Sequence, residues 1–329
     1  RLWCAAAPLY GWHVWSSGRV QEATDVMERA WVTADRLNLA AAAFFASWIG
    51  ASPGSFGGDP SETLRWVSRE LSMPRVAQAP GQRQILVTYR SQAQFALGNS
   101  AILIRDQSDS NRSSGWNIEW LLDLSRGEWE QGAKASTQDC ESQRISGNRW
   151  ALCMSSAALG NFLRLLASPA AEEALLRAID LCKLEHLPME LVQRAFIARF
   201  YTGTGRVGEA LPHLERCHEI LANGEDWSVT AGLVAFAGGV VSAARGSSAQ
   251  EFDIHFGRAV DVFRRYGTVW DEAEALHEWG RALLSAGEKA RAIAKFEVAL
   301  EIYRRIGAGE RWINRVLTDK IPAQGILNA

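Results

Sequence analysis

The residues of this 329-residue chain that could do chemistry by type and spacing form a short set. Gly203-Thr204-Gly205-Arg206-Val207-Gly208 fits Gly-x-Gly-x-x-Gly, with Glu225 downstream. Such glycines let backbone approach a pyrophosphate, but only between a strand and a helix. Here a pattern of helical period runs into the motif, so the plainer reading is a turn between two helices. His213 and Cys217 stand four residues apart beside His218, and Cys182 and His186 repeat the spacing. On a helix such pairs share a face and could offer two zinc ligands. Against this, Cys217 occupies a position where a small residue lets two helices approach. Ser55 in Gly54-Ser55-Phe56-Gly57-Gly58 lacks the flanks of a Gly-x-Ser-x-Gly nucleophile elbow. The phosphate-loop pattern Gly-x-x-x-x-Gly-Lys-Ser/Thr does not occur. Asn111-Arg112-Ser113 fits a glycosylation sequon, which matters only in a secreted chain. These residues assemble no nucleophile, base and orienting group. The sequence therefore predicts a non-catalytic chain with no catalytic residue, no cofactor site and no metal site.

What positions these residues is a repeat. Its clearest unit runs from Ala273 to Ile306. The first half carries Leu276, Trp279, Gly280 and Leu283, Gly287 makes a turn, and the second half carries Ala292, Phe296 and Ala299. Small residues allow two helices to approach and large ones fill the space between, which is the tetratricopeptide (TPR) pattern with a period of about 34 residues. The same offsets recur at Tyr10, Gly11, Val14, Gly18, Ala23, Met27 and Ala30, and at Ile197, Ala198, Tyr201, Gly205, Ala210, Leu214 and Cys217. Phe256 to Gly267 echoes Phe296 to Gly307. Weaker units span Trp150 to His186 and Trp116 to Ser146, and degenerate ones Ala40 to Leu71 and Gln82 to Asp106.

Capping residues mark helix starts independently: Asp59-Pro60-Ser61-Glu62, Ser168-Pro169, and Ser248 with Glu251. The predicted fold is all-α: a right-handed TPR-like α-solenoid of about eight helix pairs. A C-terminal capping helix over Gly309 to Lys320 has Trp312, Ile313, Val316 and Leu317 on one face. The array reads as one continuous solenoid, with repeats over 1–107 and 116–329. Two stretches interrupt it, the turn-rich Gly50 to Asp59 and the polar Gln107 to Gly115.

Composition agrees. Apolar residues make up 47% and prolines number only 9, which favours packed helices. A formal charge of −2 excludes the basic stripe of a nucleic-acid surface. The apolar stretches are too short for a membrane span. Five scattered cysteines make neither a disulfide framework nor a Cys-x-x-Cys pair, which predicts a cytoplasmic setting. The start at Arg1 reads as a piece of a longer protein. Leu2-Trp3-Cys4 would suit a lipoprotein only behind a charged and apolar leader.

The 14 tryptophans are the compositional oddity. Most are expected to pack repeats. A minority, with Trp15 and Trp120 as the candidates, would line a concave binding surface. Exposed first-helix residues Arg194, Arg199, Glu274 and His277 are the other candidate contacts.

Two stretches carry a family resemblance. Glu274 to Val316 (EALHEWGRALLSAGEKARAIAKFEVALEIYRRIGAGERWINRV) resembles the C-terminal TPR region of large bacterial signalling ATPases. Leu9 to Asn38 (LYGWHVWSSGRVQEATDVMERAWVTADRLN) resembles an earlier part of that region. Together they cover about a quarter of the chain. Proteins of this kind often carry a class III adenylate/guanylate cyclase module or a LuxR-type regulator domain. The resemblance implies a scaffold or sensor arm that regulates an attached ATPase or cyclase and binds a protein or peptide, including other domains of its own polypeptide. The alternative it leaves open is a small effector held inside the superhelix. The family's phosphate loop, cyclase metal-binding acids and DNA-binding helix-turn-helix have no matching positions here.

Overall fold

Two of the three helix starts that capping residues mark in the sequence, at Asp59 and Ser248, form as expected. A computed structural model describes residues 2–103, 118–183, 186–224 and 227–324. Asp59 accepts a hydrogen bond from the Ser61 amide at 2.8 Å, with Pro60 in the first helical position. Ser248 and Glu251 form a reciprocal capping box. Each such cap satisfies amides that a helix start leaves orphaned and stabilises by about 1 kcal/mol. Ser168 serves differently. Its helix begins only at Ala171, with Ala170 at the cap, and the Ser168 hydroxyl accepts from the Ala170 amide.

The described residues are all helical, without strands. In chain order the helices are α1 (Leu2–Ser16), α2 (Val20–Arg36), α3 (Ala40–Ala51), a 3-10 turn (Ser52–Phe56), α4 (Pro60–Leu71), a one-turn α5 (Pro74–Ala77) and α6 (Pro80–Ala96). Then come α7 (Ile118–Arg126), α8 (Trp129–Ser146), α9 (Arg149–Leu165), α10 (Ala171–Cys182), α11 (Leu187–Gly203) and α12 (Val207–Ala222). The last are α13 (Ser228–Ala244), α14 (Ala249–Tyr266), α15 (Val269–Ser285), α16 (Lys289–Arg305) and α17 (Glu310–Gln324). Neighbouring helices pack in pairs, an arrangement consistent with an α-solenoid. The stretch expected as a loop from Gly50 is partly ordered: α3 runs through Ala51 and the 3-10 turn follows. The Gln107 to Gly115 loop, Trp116 and the sequon lie outside the described residues.

In the clearest unit the template positions do the packing assigned to them, whereas Tyr10 of the N-terminal unit is exposed. A Cβ on Gly280 would lie 2.5 Å from the Phe296 ring, so only glycine lets α15 and α16 approach this closely. Gly287 turns between them with φ +84°, in the left-handed region. Phe256 and Phe296 are both fully buried, as are Ala259 and Ala299, which explains the echo between those segments.

One feature has no counterpart in the repeat pattern. The array folds back so that early turns rest on later helices. The Thr230 amide, at the start of α13, donates to the Gly57 carbonyl at 3.0 Å. Phe95 stacks on Trp270 with centroids 5.0 Å apart. The Gly309 amide donates to the Ser125 carbonyl at 2.8 Å, and Trp312 Nε1 donates to the Leu124 carbonyl at 2.7 Å. The α7–α8 pair thus closes against α17, and Trp129 meets Trp312 edge to face at 5.1 Å. Large rings suit such seams, since each joins wide apolar area to one N–H that a carbonyl can accept.

Candidate functional site

The first-helix face of the later repeats encloses a cavity. Four first helices, α9, α11, α13 and α15, and the capping helix α17 bring Arg164, Arg199, Val240, Glu278 with Arg281, and Arg315 around one cavity of about 270 Å³. Leu165, Ala167, Phe200, Gly203 and Thr204 complete its wall. Glu274 lies against the same arginines: its Oε1 accepts from Arg199 Nη2 at 2.6 Å and from Arg164 Nη2 at 3.2 Å. Arg281 Nη1 reaches both oxygens of Glu278, at 3.1 and 3.0 Å. Arg315 Nη2 stands 4.0 Å from Glu278 Oε1. Arg199 also lies over the Phe236 ring at 3.9 Å, a cation–π contact that fixes its plane.

The charges act strongly on one another because water is largely excluded. Burial works to raise the Glu274 carboxyl. Arg199, Arg164 and Arg315 outweigh it and hold the group well below the ordinary carboxylate range. Glu278 is likewise held down, by Arg281, His277, Arg315 and Arg199, against its own burial. Burial, with Arg199 and Arg315 close by, pulls the Arg164 guanidinium down to about 10. Burial and the neighbouring Glu274 push Asp271 up to about 7. Asp271 borders a second cavity, of about 180 Å³, walled mainly by apolar groups such as Met154, Met189, Val192 and Leu233.

The candidate contact residues fare unequally. Arg199 and Glu274 are brought together at the chamber. His277 stands beside it, its Nε2 2.8 Å from Asp319 Oδ2. The expectation that these side chains are exposed is corrected: Arg199 is 6% exposed and His277 1%, because Phe236 and Glu274 pack on Arg199, and Asp319 and Phe296 on His277. Arg194 lies elsewhere, half-buried, donating to Glu190 at 2.8 Å. Trp15 is 5% exposed and belongs to the core, so it cannot serve as a surface contact. Trp120 is partly buried against the main core.

The two alternatives read from sequence motifs are structural. Gly203 ends α11, Gly205 turns with φ +78°, and Gly208 lies in the first turn of α12, so a helix precedes the motif where a strand would be needed. Glu225 lies outside the described residues. Cys217 is fully buried, with its thiol toward the Leu191 carbonyl. His213 packs on Tyr201 with its ring nitrogen near Arg194, and burial with that arginine lowers it to about 4. His186 Nδ1 caps α11 by accepting from the Met189 amide at 3.2 Å. Its ring is enclosed by Trp12, Trp15, Trp150 and Phe56, with centroids 4.9 to 5.5 Å away. Burial lowers it to about 3. Among the described residues no three His, Cys, Asp or Glu side chains group as metal ligands, and no helix is long and apolar enough to cross a membrane.

Sequence reasoning missed Arg164, Glu278, Arg281 and Arg315. A signal for one of them, Arg164, was present, of the same kind as for Arg199, which the sequence did single out. Arg164 sits in Phe162-Leu163-Arg164-Leu165-Leu166 and Arg199 in Ile197-Ala198-Arg199-Phe200. A cation flanked by apolar residues in a buried helix must find a carboxylate or leave its charge uncompensated.

Neither a protein-family model nor a curated protein matches the chain.

Proposed function

We propose that the chain is a non-catalytic sensor module built of right-handed TPR-like repeats, and that its effector is a small ligand held inside the array. The observation that carries this reading is the convergence of polar side chains from successive first helices on one interior cavity. A site made jointly by several repeats couples occupancy to the relative placement of those repeats. Ligand that binds only the closed arrangement stabilises it by mass action. Such tightening would serve to regulate an attached signalling ATPase or cyclase in a cytoplasmic protein, as the family resemblance implies.

The test is a thermal-shift screen of the chain against small metabolites, repeated on Val240→Phe, which fills the cavity. A stabilising compound that loses its effect in that variant supports the reading. Compounds that act equally on both proteins would place the ligand elsewhere and sink it.

A second reading, a scaffold for a protein or peptide, has its own support. Leu2, Trp3, Leu9 and Tyr10 are exposed along α1, at 88, 47, 59 and 49%. Exposed apolar residues grouped on one helix mark interaction surfaces. If Trp3→Ala and Leu9→Ser abolished capture of a partner while the metabolite screen stayed silent, this second reading would replace the first.

A further inference from the structure

We propose that the arginine chamber binds the oxyanion end of a small organic acid, a carboxylate or phosphate monoester whose compact apolar part lies against Leu165, Phe200 and Val240. This rests on the sensor reading above and names its ligand class.

The charge inventory comes first. Four guanidinium groups face the chamber: Arg164, Arg199, Arg281 and Arg315. Arg164 and Arg199 share a single oxygen of Glu274. Arg281 and Arg315 share Glu278. Asp319 lies 3.4 Å from Arg281 Nε and also faces His277. Asp271, near Glu274 and Arg199, borders the other cavity and is pushed toward its neutral form by burial and Glu274. The chamber itself therefore sets three carboxylates against four arginines.

The hydrogen-bond inventory points the same way. Arg164 Nε, Arg199 Nη1 and Arg315 Nη1 are buried with no acceptor. Buried donors of charged groups are costly to leave unpaired, by more than neutral ones. The three belong to three helices, α9, α11 and α17, and all three residues line the cavity. The Arg199 side chain is only 5% exposed. An oxyanion supplies several acceptor lone pairs at one point, which is what three converging guanidinium groups lack. The pull on Arg164 toward its neutral form, through burial and its neighbours Arg199 and Arg315, reports the same shortage.

Size and wall set the rest of the ligand. A cavity of about 270 Å³ holds a compact molecule and has no room for a folded peptide segment. Its apolar side, from Leu165 to Val240, favours an organic acid over a bare inorganic ion. Thr204 already donates its hydroxyl to backbone carbonyls of α11. Glu278 limits the site to anions small enough to stay on the Arg164–Arg199–Arg315 side.

The experiment uses the whole chain, with phenyl phosphate, benzoate and inorganic phosphate titrated by calorimetry and thermal shift. Sodium chloride at equal ionic strength and benzyl alcohol are the controls. Phenyl phosphate or benzoate should bind saturably and raise Tm beyond the chloride control, with inorganic phosphate weaker. Arg315→Gln, whose side chain has the loosest carboxylate contact, should weaken that binding by roughly tenfold or more while leaving the unliganded Tm near the parent value. Arg164→Gln should weaken binding likewise, at some cost in unliganded Tm because it removes a buried partner of Glu274, and gives a second reading of binding. Absence of saturable binding by all three anions overturns the proposal, as does binding that both variants leave intact. If the anions fail while neutral metabolites still act through the Val240-bordered cavity, the ligand class is wrong and the sensor reading stands. If no small molecule acts there, both fall.

Discussion

The ring cluster around His186 and the arginine cluster around Glu274 both join helices distant in sequence, and they treat burial in opposite ways. Around His186 four aromatic groups close on a neutral imidazole, and apolar area does the holding. Around Glu274 the charges exceed their partners, donors stand unmatched and a cavity remains. A folded chain seeks to match its buried polar groups. The first cluster leaves one ring nitrogen, His186 Nε2, unmatched among apolar rings, while the second leaves several charged donors unmatched around a cavity. The first is therefore read as a seam and the second as a place left open for something else.

The comparison can be broken at several points. The largest expected effect is at the seam. Trp15→Ala would open a void among Trp12, Phe56 and His186 and should cost about 4 kcal/mol in urea denaturation. A loss under about 1 kcal/mol would mean the rings do not hold the seam. Glu274→Gln comes next, because it strips Arg164 and Arg199 of their shared carboxylate, with an expected loss of about 3–4 kcal/mol. A similar loss is expected on acidification. His186 is held below its unfolded value, so its contribution is present above about pH 6.5 and lost as pH falls and the unfolded chain takes up the proton. Between pH 7 and pH 4 this amounts to about 3 kcal/mol, and His186→Phe should show a shallower acid limb than the parent. A limb of unchanged depth would assign the acid sensitivity to other groups.

Smaller effects sharpen the contrast. Replacing the charged trio together, as Arg164→Met, Arg199→Leu and Glu274→Leu, should leave stability within about 1 kcal/mol of the parent or raise it. Anion binding should vanish in the same protein. Marked destabilisation would show that the charged cluster is structural. Smallest of all, Arg144→Ala breaks an exposed pair with Glu141 and should give no detectable change in the denaturation midpoint.

The helices and their pairing were legible in sequence because they depend on neighbours a few residues apart. Gly280 against Phe296, Gly287 at its turn and Asp59 at its cap all follow from spacing alone. The chamber was not legible in the same way. Arg199 and His277 were placed on a solvent face because they are polar residues of first helices, which is sound for an open array. What buries them is contact with later helices of the array, Phe236 and Glu274 on Arg199 and Asp319 on His277. The fold-back was not legible either, since it depends on pairs such as Leu124 with Trp312, 188 residues apart. No local pattern specifies such a pair. The surplus of tryptophan was its only compositional trace, and Trp129, Trp270 and Trp312 now account for part of it. Trp15 was misplaced for a related reason, since its partner His186 lies far along the chain, at the start of α11.

The fold-back also bears on how the molecule comes apart. An open array of repeats frays from its ends, and each unit adds its own increment of stability with little long-range cooperativity. Here the carbonyl of Ser125 is held by the amide of Gly309, and Ile306 accepts from Ser100 across 206 residues. Loop-closure entropy must be met before these contacts form, so folding should be slow for an all-helical chain and unfolding should run in fewer, larger steps. Removing α17 would expose the α7–α8 pair together with the chain end. Between its joined turns, an array tied to itself in this way cannot gain or lose a helix pair without losing the register of those contacts.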